Sequence, residues 1–249
     1  MNLKHILKVT GSVALSAVMA TASIPVTVYA EENTSKTNES SDKQTASSTK
    51  KTETVYAVLN GDGSLSDIVV SGWLHNDSGI KNLKEKLNLT DVKNVKTDEV
   101  PEDNNGEYTW NSDSNDIYYQ GNSTEQLPVT MQITYELDGQ QLSQEELKGK
   151  SGHLKINIHL TNVNSETKTI NGKNVNIHPF FVAGGMLSLD NDHYSNTTCD
   201  QGKIVTDGSK QMLVFAAVPG LKDTLDSADL SKVSDQLSVG DDINIECDV

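Results

Sequence analysis

Hard oxygen ligands are clustered in one predicted loop of the sequence. Asp190 and Asp192 are separated by a single asparagine, and Asn196 follows shortly after them. Calcium binds carboxylate and amide oxygens of this kind. Tight turns use the same residue types, because Asp and Asn side chains hydrogen-bond the backbone two residues on. The sequence therefore favours a metal-free turn, and a Ca²⁺ site at Asp190, Asp192 and Asn196 is the alternative.

The two cysteines, Cys199 and Cys247, could form a cross-link. An exported protein can keep a disulfide, and closing this loop would stabilise the fold by roughly 4 kcal/mol if the geometry allowed it. Spacing alone does not give the relative placement of the strands that carry them. A Cys199–Cys247 disulfide and two buried free thiols both remain open.

Catalytic motifs are missing from the sequence. Beyond residue 30 the histidines are His75, His153, His159, His178 and His193. None lies in an H-E-x-x-H motif or beside a cysteine at zinc-binding spacing. There is no Gly-x-Ser-x-Gly framing for a nucleophile. We expect that the protein is not an enzyme and uses no cofactor other than the candidate Ca²⁺; an enzyme with an unrecognised site is the alternative.

Several aromatic residues are candidates for a ligand groove. Aromatic residues make up only 5% of the chain, so the core needs most of them. The candidates for either role are Trp73, Trp110, Tyr118, Tyr119, Phe180 and Phe181.

Alternating hydrophobicity predicts the strands that would position these residues. Residues 128–138 and 153–163 place apolar side chains at every second position, which is typical of a sheet with one face in water. Between them, Ser143 and Glu146 form a capping box that predicts one helical turn. Shorter alternating runs predict strands over 175–177, 180–189, 193–198, 203–206, 211–218 and 243–249.

The N-terminal part of the chain has a different pattern. Residues 54–59 and 68–70 flank an Asn-Gly-Asp-Gly turn, which predicts a hairpin. Ile80, Leu83 and Leu87 have helical spacing. We therefore predict a mostly β protein: an antiparallel, Ig-like β-sandwich over 121–249 and a small hairpin-plus-helix unit over 54–120.

Charge limits the classes of partner. The chain has 20 Lys and Arg against 35 Asp and Glu, a formal net charge of −15, and every basic residue is lysine. This field repels nucleic acid and anionic membranes. We expect no nucleic-acid partner, and membrane attachment only through a segment that is not in this sequence.

The first thirty residues have the pattern of an export signal. Lys4 and Lys8 precede an apolar stretch, and Val28-Tyr29-Ala30 fits a signal-peptidase site. We predict cleavage after Ala30, with an uncleaved anchor as the alternative. Residues 31–53 are polar and lack aromatic side chains, which predicts a disordered linker. The mature protein is expected to be secreted or displayed on the cell surface.

Three stretches together resemble a known family. They are Thr54–Leu74 (TVYAVLNGDGSLSDIVVSGWL), Asp116–Asn162 (with LPVTMQITYELDG) and Gly202–Leu225 (with VPGLKDTL). The set resembles the N-terminal ectodomain of uncharacterised surface proteins of Gram-positive bacteria, loosely similar to phage-infection proteins. In that family the ectodomain precedes helical segments, some with Leu/Gly heptads, and a membrane segment. This sequence has neither of those, and we expect it to be the front of a longer protein.

These observations favour a non-catalytic function. We expect an extracellular or cell-surface module that serves as a spacer, an assembly domain or a binding domain. The partner would be an unknown cell-surface protein or a glycan. A carbohydrate-dependent or calcium-dependent binding module is the more specific alternative.

Overall fold

The computed structural model describes residues 49–237 and 239–249. The described chain is mostly β and its sheets are antiparallel, which is consistent with a β-sandwich-like class. The chain consists of two compact units. The N-terminal unit contains the described residues 49–58 and Leu65–Gln126, and the C-terminal unit contains Leu59–Ser64 and Leu127–Val249. The predicted boundary at residue 120 lies slightly earlier in the chain.

The N-terminal unit is built from seven strands. They are β1 (Lys50–Leu59, which ends one residue inside the other unit), β2 (Leu65–His75), β3 (Ile80–Lys86), β4 (Thr90–Asn94), β5 (Glu102–Asn104), β6 (Glu107–Ser112) and β7 (Asp116–Asn122). One sheet has the order β1-β2-β7-β4, and the other has the order β3-β6-β5. Leu74, Trp110, Ile117 and Tyr119 are almost fully buried in a core that both sheets contribute to.

The predicted helix over Ile80, Leu83 and Leu87 is wrong, because residues 80–86 form strand β3. The strand contains a β-bulge between Ile80 and Leu83, where Asn82 adopts a left-handed φ of 50°. The extra residue lets Ile80 and Leu83 contact the same core although they are three apart. A bulged strand therefore has the apolar spacing of a helix.

The predicted disordered linker extends too far. Strand β1 begins at Lys50, so residues 50–53 are ordered, while residues 31–48 lie outside the described part of the chain. Tyr119 donates a hydrogen bond to Glu53 Oε1 over 2.8 Å, and Lys51 forms an ion pair with Glu85. Tertiary contacts of polar side chains order this segment although its composition is that of a linker.

The C-terminal unit contains two larger sheets and three short helices. Its strands are β8 (Val129–Leu137), β9 (Gln140–Leu142), β10 (His153–Asn162), β11 (Glu166–Ile170), β12 (Lys173–Ile177), β13 (Ala183–Asp190), β14 (Ser195–Cys199), β15 (Gly202–Asp207), β16 (Lys210–Ala217) and β17 (Asp242–Asp248). The helices are α1 (Gln144–Leu147), α2 (Leu221–Ser227) and α3 (Ser231–Ser234). No helix in the described ranges has the length and apolar character needed to cross a membrane.

Two sheets of the C-terminal unit share one core. A five-stranded sheet has the order β14-β17-β10-β8-β9, and a three-stranded sheet has the order β13-β16-β15. Ile158 and Ile243 of the first sheet and Leu189 and Leu213 of the second belong to the same buried cluster. Burial alternates along β10 as predicted, since every second side chain from Leu154 to Asn162 is buried. The two sheets are therefore packed through their apolar faces.

The predicted helical turn after β9 is confirmed together with its cap. Ser143 is the N-cap of α1 and accepts a hydrogen bond from the Glu146 amide, while the Glu146 carboxylate accepts one from the Ser143 amide over 2.8 Å. The hydrogen bonds to Ser143 hold the pKa of Glu146 below its usual value. The helix ends at Leu147, and the loop after it returns the chain to β10.

Candidate functional site

The strongest candidate for a binding site lies on the solvent face of the four-stranded sheet in the N-terminal unit. Strands β2 and β7 are antiparallel neighbours, and their register pairs Trp73 with Tyr118 and His75 with Asp116. Leu74 and Ile117 point into the core, so the alternate residues of both strands point outward. Strand alternation therefore collects Trp73, His75, Asp116 and Tyr118 on one half-exposed face.

The rings on this face form a row. The centroids of Trp73 and Tyr118 are 6.5 Å apart with their planes inclined by 24°, and those of Trp73 and His75 are 5.5 Å apart. The ammonium of Lys96 lies 4.0 Å from the Tyr118 ring centroid, within range of a cation–π interaction. We call Trp73, His75, Asp116, Tyr118 and Lys96 the aromatic surface.

Asp116 fixes the orientation of two of these rings. Its Oδ1 atom accepts a hydrogen bond from Trp73 Nε1 over 2.7 Å and another from His75 Nδ1 over 2.9 Å. The other ring nitrogen of His75 lies 2.9 Å from Asp77 Oδ1. Because both ring nitrogens face carboxylates, the doubly protonated imidazolium is favoured. Asp116 first, and Asp77 second, raise the pKa of His75, and the bonds from His75 and then Trp73 lower the pKa of Asp116.

The loop after β4 places Lys96 next to Tyr118. Asn94 ends β4, and its Oδ1 atom accepts hydrogen bonds from the amides of Lys96 and Thr97. Val95 continues the pairing with β7, because its amide donates to the Tyr118 carbonyl. This asparagine turn places the Lys96 side chain over the Tyr118 ring.

The predicted calcium ligands have partners within the protein. Asp190 Oδ1 accepts a hydrogen bond from the Asp192 amide over 3.0 Å, which is a turn bond. Asn196 adopts a left-handed φ of 52° in a bulge of β14, and its Nδ2 atom donates to Asp248 Oδ2. Residues 49–237 and 239–249 contain no group of three or more His, Cys, Asp or Glu side chains arranged to hold a metal ion. The geometry of these three residues is that of a turn and a bulge.

The two cysteines are free thiols on adjacent strands. Cys199 pairs directly with Ile245, and Cys247 follows two residues later on the same face. Diagonal neighbours in an antiparallel pair are roughly 7–8 Å apart, whereas the Cβ atoms of a disulfide are separated by roughly 4 Å. A disulfide would need a change of register. Burial raises the pKa of Cys247 to about 11 and also raises that of Cys199.

The histidines of β10 lie on its solvent face, where the sequence places them. His153 Nδ1 is 2.8 Å from Asp248 Oδ1, and its Nε2 is 3.3 Å from Glu246 Oε2. His159 Nδ1 is 2.9 Å from Asp242 Oδ1. These carboxylates belong to β17, so the contacts are cross-strand ion pairs. The bond to Asp248 is the main cause that raises the pKa of His153.

The structure separates the six aromatic candidates by burial, and Phe180, in the C-terminal unit, is exposed. Trp110 and Tyr119 are fully buried, and Phe181 packs against the core of the C-terminal unit, so these three are structural. Trp73 and Tyr118 remain half-exposed and meet across two strands. Sequence reasoning missed Asp116 and Lys96 as members of the site. The only sequence signal for Asp116 is the alternation of residues 116–122, which places it on the same face as Tyr118, and this alternation gives no signal for Lys96.

Comparison with known proteins provides no further identification. No protein-family model matches the chain, and no curated protein or solved structure is significantly similar to it. Any functional assignment therefore depends on the geometry of the chain itself.

Proposed function

We propose that the protein is a non-catalytic binding module outside the cytoplasm, and that the aromatic surface binds a glycan. The observation that carries this proposal is the pair of half-exposed rings, Trp73 and Tyr118, held nearly parallel on an open sheet face. A sugar ring has an apolar C–H face that packs on aromatic rings and a rim of hydroxyl groups. Trp and Tyr are amphipathic side chains suited to such a ligand.

Polar groups beside the rings match the hydroxyl rim. The carboxylates of Asp116 and Asp77 have acceptor capacity beyond the bonds that they already make, since each ionised carboxylate has about four lone-pair sites. Lys96 contributes an ammonium donor. The rings would hold the sugar, and these groups would fix its orientation.

Charge supports a neutral ligand. With a formal net charge of −15, the chain repels polyanions such as nucleic acids. A neutral oligosaccharide is not repelled, and it is abundant at the cell surface where the export pattern is expected to deliver the protein. The same argument disfavours polyanionic glycans.

The test is a titration with neutral oligosaccharides. Hexamers of N-acetylglucosamine, of β-1,4-linked glucose and of β-1,3-linked glucose are added to the protein, and binding is followed by calorimetry and tryptophan fluorescence. The sequence contains two tryptophans, and Trp110 is fully buried, so quenching by a bound sugar reports on Trp73. We expect at least one hexamer to bind.

Substitutions locate the binding. Trp73→Ala and Tyr118→Ala are each expected to weaken it about tenfold or more, the effect typical of a central aromatic contact. Phe180→Ala is the matched control, because Phe180 is 70% exposed and lies in the C-terminal unit. No binding by any of the three hexamers, or binding that both substitutions leave unchanged, would contradict the proposal.

A further inference from the structure

The C-terminal unit contains a cavity that the glycan proposal does not use. Its volume is about 290 Å³, and it lies where β10 begins and β8, β13 and β17 end. Leu154 and Ile156 line it from the five-stranded sheet, and Leu187 and Leu189 line it from the three-stranded sheet. All four belong to the buried core, so the cavity extends between the two sheets.

The wall of this cavity is mainly apolar, with Tyr135, His193 and Tyr194 among its polar lining residues, and two lysines lie at its rim. Leu147 of α1 packs against the same core and closes one side. The loop after α1 supplies Lys148 and Lys150 to the rim, and no Asp or Glu is among the lining residues. Lys148 is 2.6 Å from Glu145 Oε2 and is therefore already paired. Lys150 is exposed and makes no ion pair within the described residues, although after the hydrogen bonds to Ser143 its charge is a further cause that lowers the pKa of Glu146.

A cavity of this kind suits one class of ligand. Apolar cavities exclude water and accept apolar molecules, and small-molecule sites combine an apolar wall with a few polar groups that orient the ligand. The basic rim of a strongly acidic chain adds attraction for one negative charge. We propose that the cavity binds the alkyl chain of a single-chain anionic amphiphile, such as a medium-chain fatty acid, with its carboxylate at Lys150.

The test compares three amphiphiles that share one alkyl chain. Decanoate and decyltrimethylammonium are titrated into the full chain below their critical micelle concentrations and decanol below its solubility limit, and binding is measured by calorimetry. We expect decanoate to bind at least tenfold more tightly than decyltrimethylammonium, with decanol between them. Thermal unfolding should shift upward with decanoate concentration, because the ligand binds the folded state.

A charge reversal tests the role of the rim. Lys150→Glu is expected to weaken decanoate binding at least tenfold and to leave decanol binding unchanged. Lys203→Glu is the control, because it makes the same charge change at an exposed position of β15 that does not line the cavity. The proposal would be overturned if decanoate did not bind or if the three amphiphiles bound with equal affinity. It would also be overturned if Lys150→Glu and Lys203→Glu changed the affinity for decanoate by the same factor. None of these results bears on glycan binding at the aromatic surface.

Discussion

Asp116 is the residue on which the order of the aromatic surface most depends. One oxygen atom of its carboxylate accepts hydrogen bonds from both Trp73 and His75, which lie on the neighbouring strand. The ion pair with His75 has a defined pH range. The pKa of His75 is raised, so its contribution to stability is complete below the ordinary histidine value and is lost as pH rises through the folded pKa. The pKa of Asp116 is lowered, so its contribution is lost as pH falls through the folded value.

An NMR titration of the histidine ring protons tests this ion pair. We expect the pKa of His75 to lie above the ordinary histidine value, and Asp116→Asn to lower it, because the amide keeps an acceptor oxygen but loses the charge. Asp113→Asn is the control, since Asp113 is exposed and pairs with Lys81 instead. An unchanged His75 titration in Asp116→Asn would show that the carboxylate does not stabilise the imidazolium.

Bulged strands are the main feature of this fold at the scale of the element. Register shifts interrupt β3, β4 and β14. In each strand an Asn or Asp adopts a left-handed φ: 50° at Asn82, 53° at Asp91 and 52° at Asn196. Asn and Asp tolerate this conformation better than other residues that have a Cβ atom. Polar residues within these strands are therefore part of the backbone geometry.

Substitution of Asn82 tests the bulge of β3. Asn82→Ala is expected to destabilise the N-terminal unit by about 1 kcal/mol, because a left-handed φ is less favourable for alanine than for asparagine. Asn82→Gly is the matched variant, which removes the same side chain but adopts this φ freely, and it should cost less than alanine. Both tryptophans lie in this unit, so urea unfolding followed by their fluorescence reports on it. Equal costs for the two substitutions would show that φ at Asn82 is not the determinant.

Strands with regular alternation were predictable from the sequence, and strands with bulges were not. The apolar positions of β8 and β10 follow a period of two, and the Ser143 cap has a local motif; both predictions are confirmed. The sequence of strand β3 predicts a helix instead, because the bulge changes the period of its apolar residues. The sequence does not predict strand β11, because all its side chains are exposed and leave no apolar pattern. Only part of the aromatic surface is predictable from the sequence. Its aromatic residues can be recognised as candidates, whereas Asp116 becomes a neighbour of Trp73 and His75 only through the cross-strand register.

At the scale of the whole molecule, the tip of the first hairpin belongs to the C-terminal unit. Leu59–Ser64 is part of the C-terminal unit, although most of β1 and all of β2, the strands on either side of it, belong to the N-terminal unit. The Asp62 carbonyl accepts a hydrogen bond from the Ile133 amide over 2.8 Å, and the Gly61 carbonyl accepts one from the Tyr135 hydroxyl over 2.7 Å. The tip therefore satisfies polar groups on one edge of strand β8.

Two glycines with the same backbone conformation test this contact. Gly63 and Gly139 both have a φ of 85°, but a Cβ atom at Gly63 would lie 2.7 Å from the Met131 carbonyl oxygen, whereas Gly139 has open space around it. Both substitutions by alanine are expected to lower the free energy of unfolding by about 1 kcal/mol, because alanine disfavours the left-handed backbone. Gly63→Ala must also displace backbone and should cost roughly 1–3 kcal/mol more.

Hydrogen exchange gives the local measurement for these variants. The Ile133 amide should exchange faster in Gly63→Ala, because its acceptor on the tip moves away. The Ile156 amide of β10, between two paired strands, is the internal reference. If Gly139→Ala accelerated exchange at Ile133 as much as Gly63→Ala does, the contact with the tip would not be what protects that amide.

The position of the hairpin tip also imposes an order on biosynthesis. A polypeptide emerges from the ribosome amino end first and folds by units as they are completed. All described strands of the N-terminal unit have been synthesised once residue 126 has been added. The tip at 59–64 can form its hydrogen bonds only after strand β8 has also been synthesised. Until then the carbonyls of Gly61 and Asp62 have only water to bind. Among the described residues, the tip is thus the part of the C-terminal unit that is made first, and cutting the chain at 126 would separate the tip from strand β8, to which it is hydrogen-bonded.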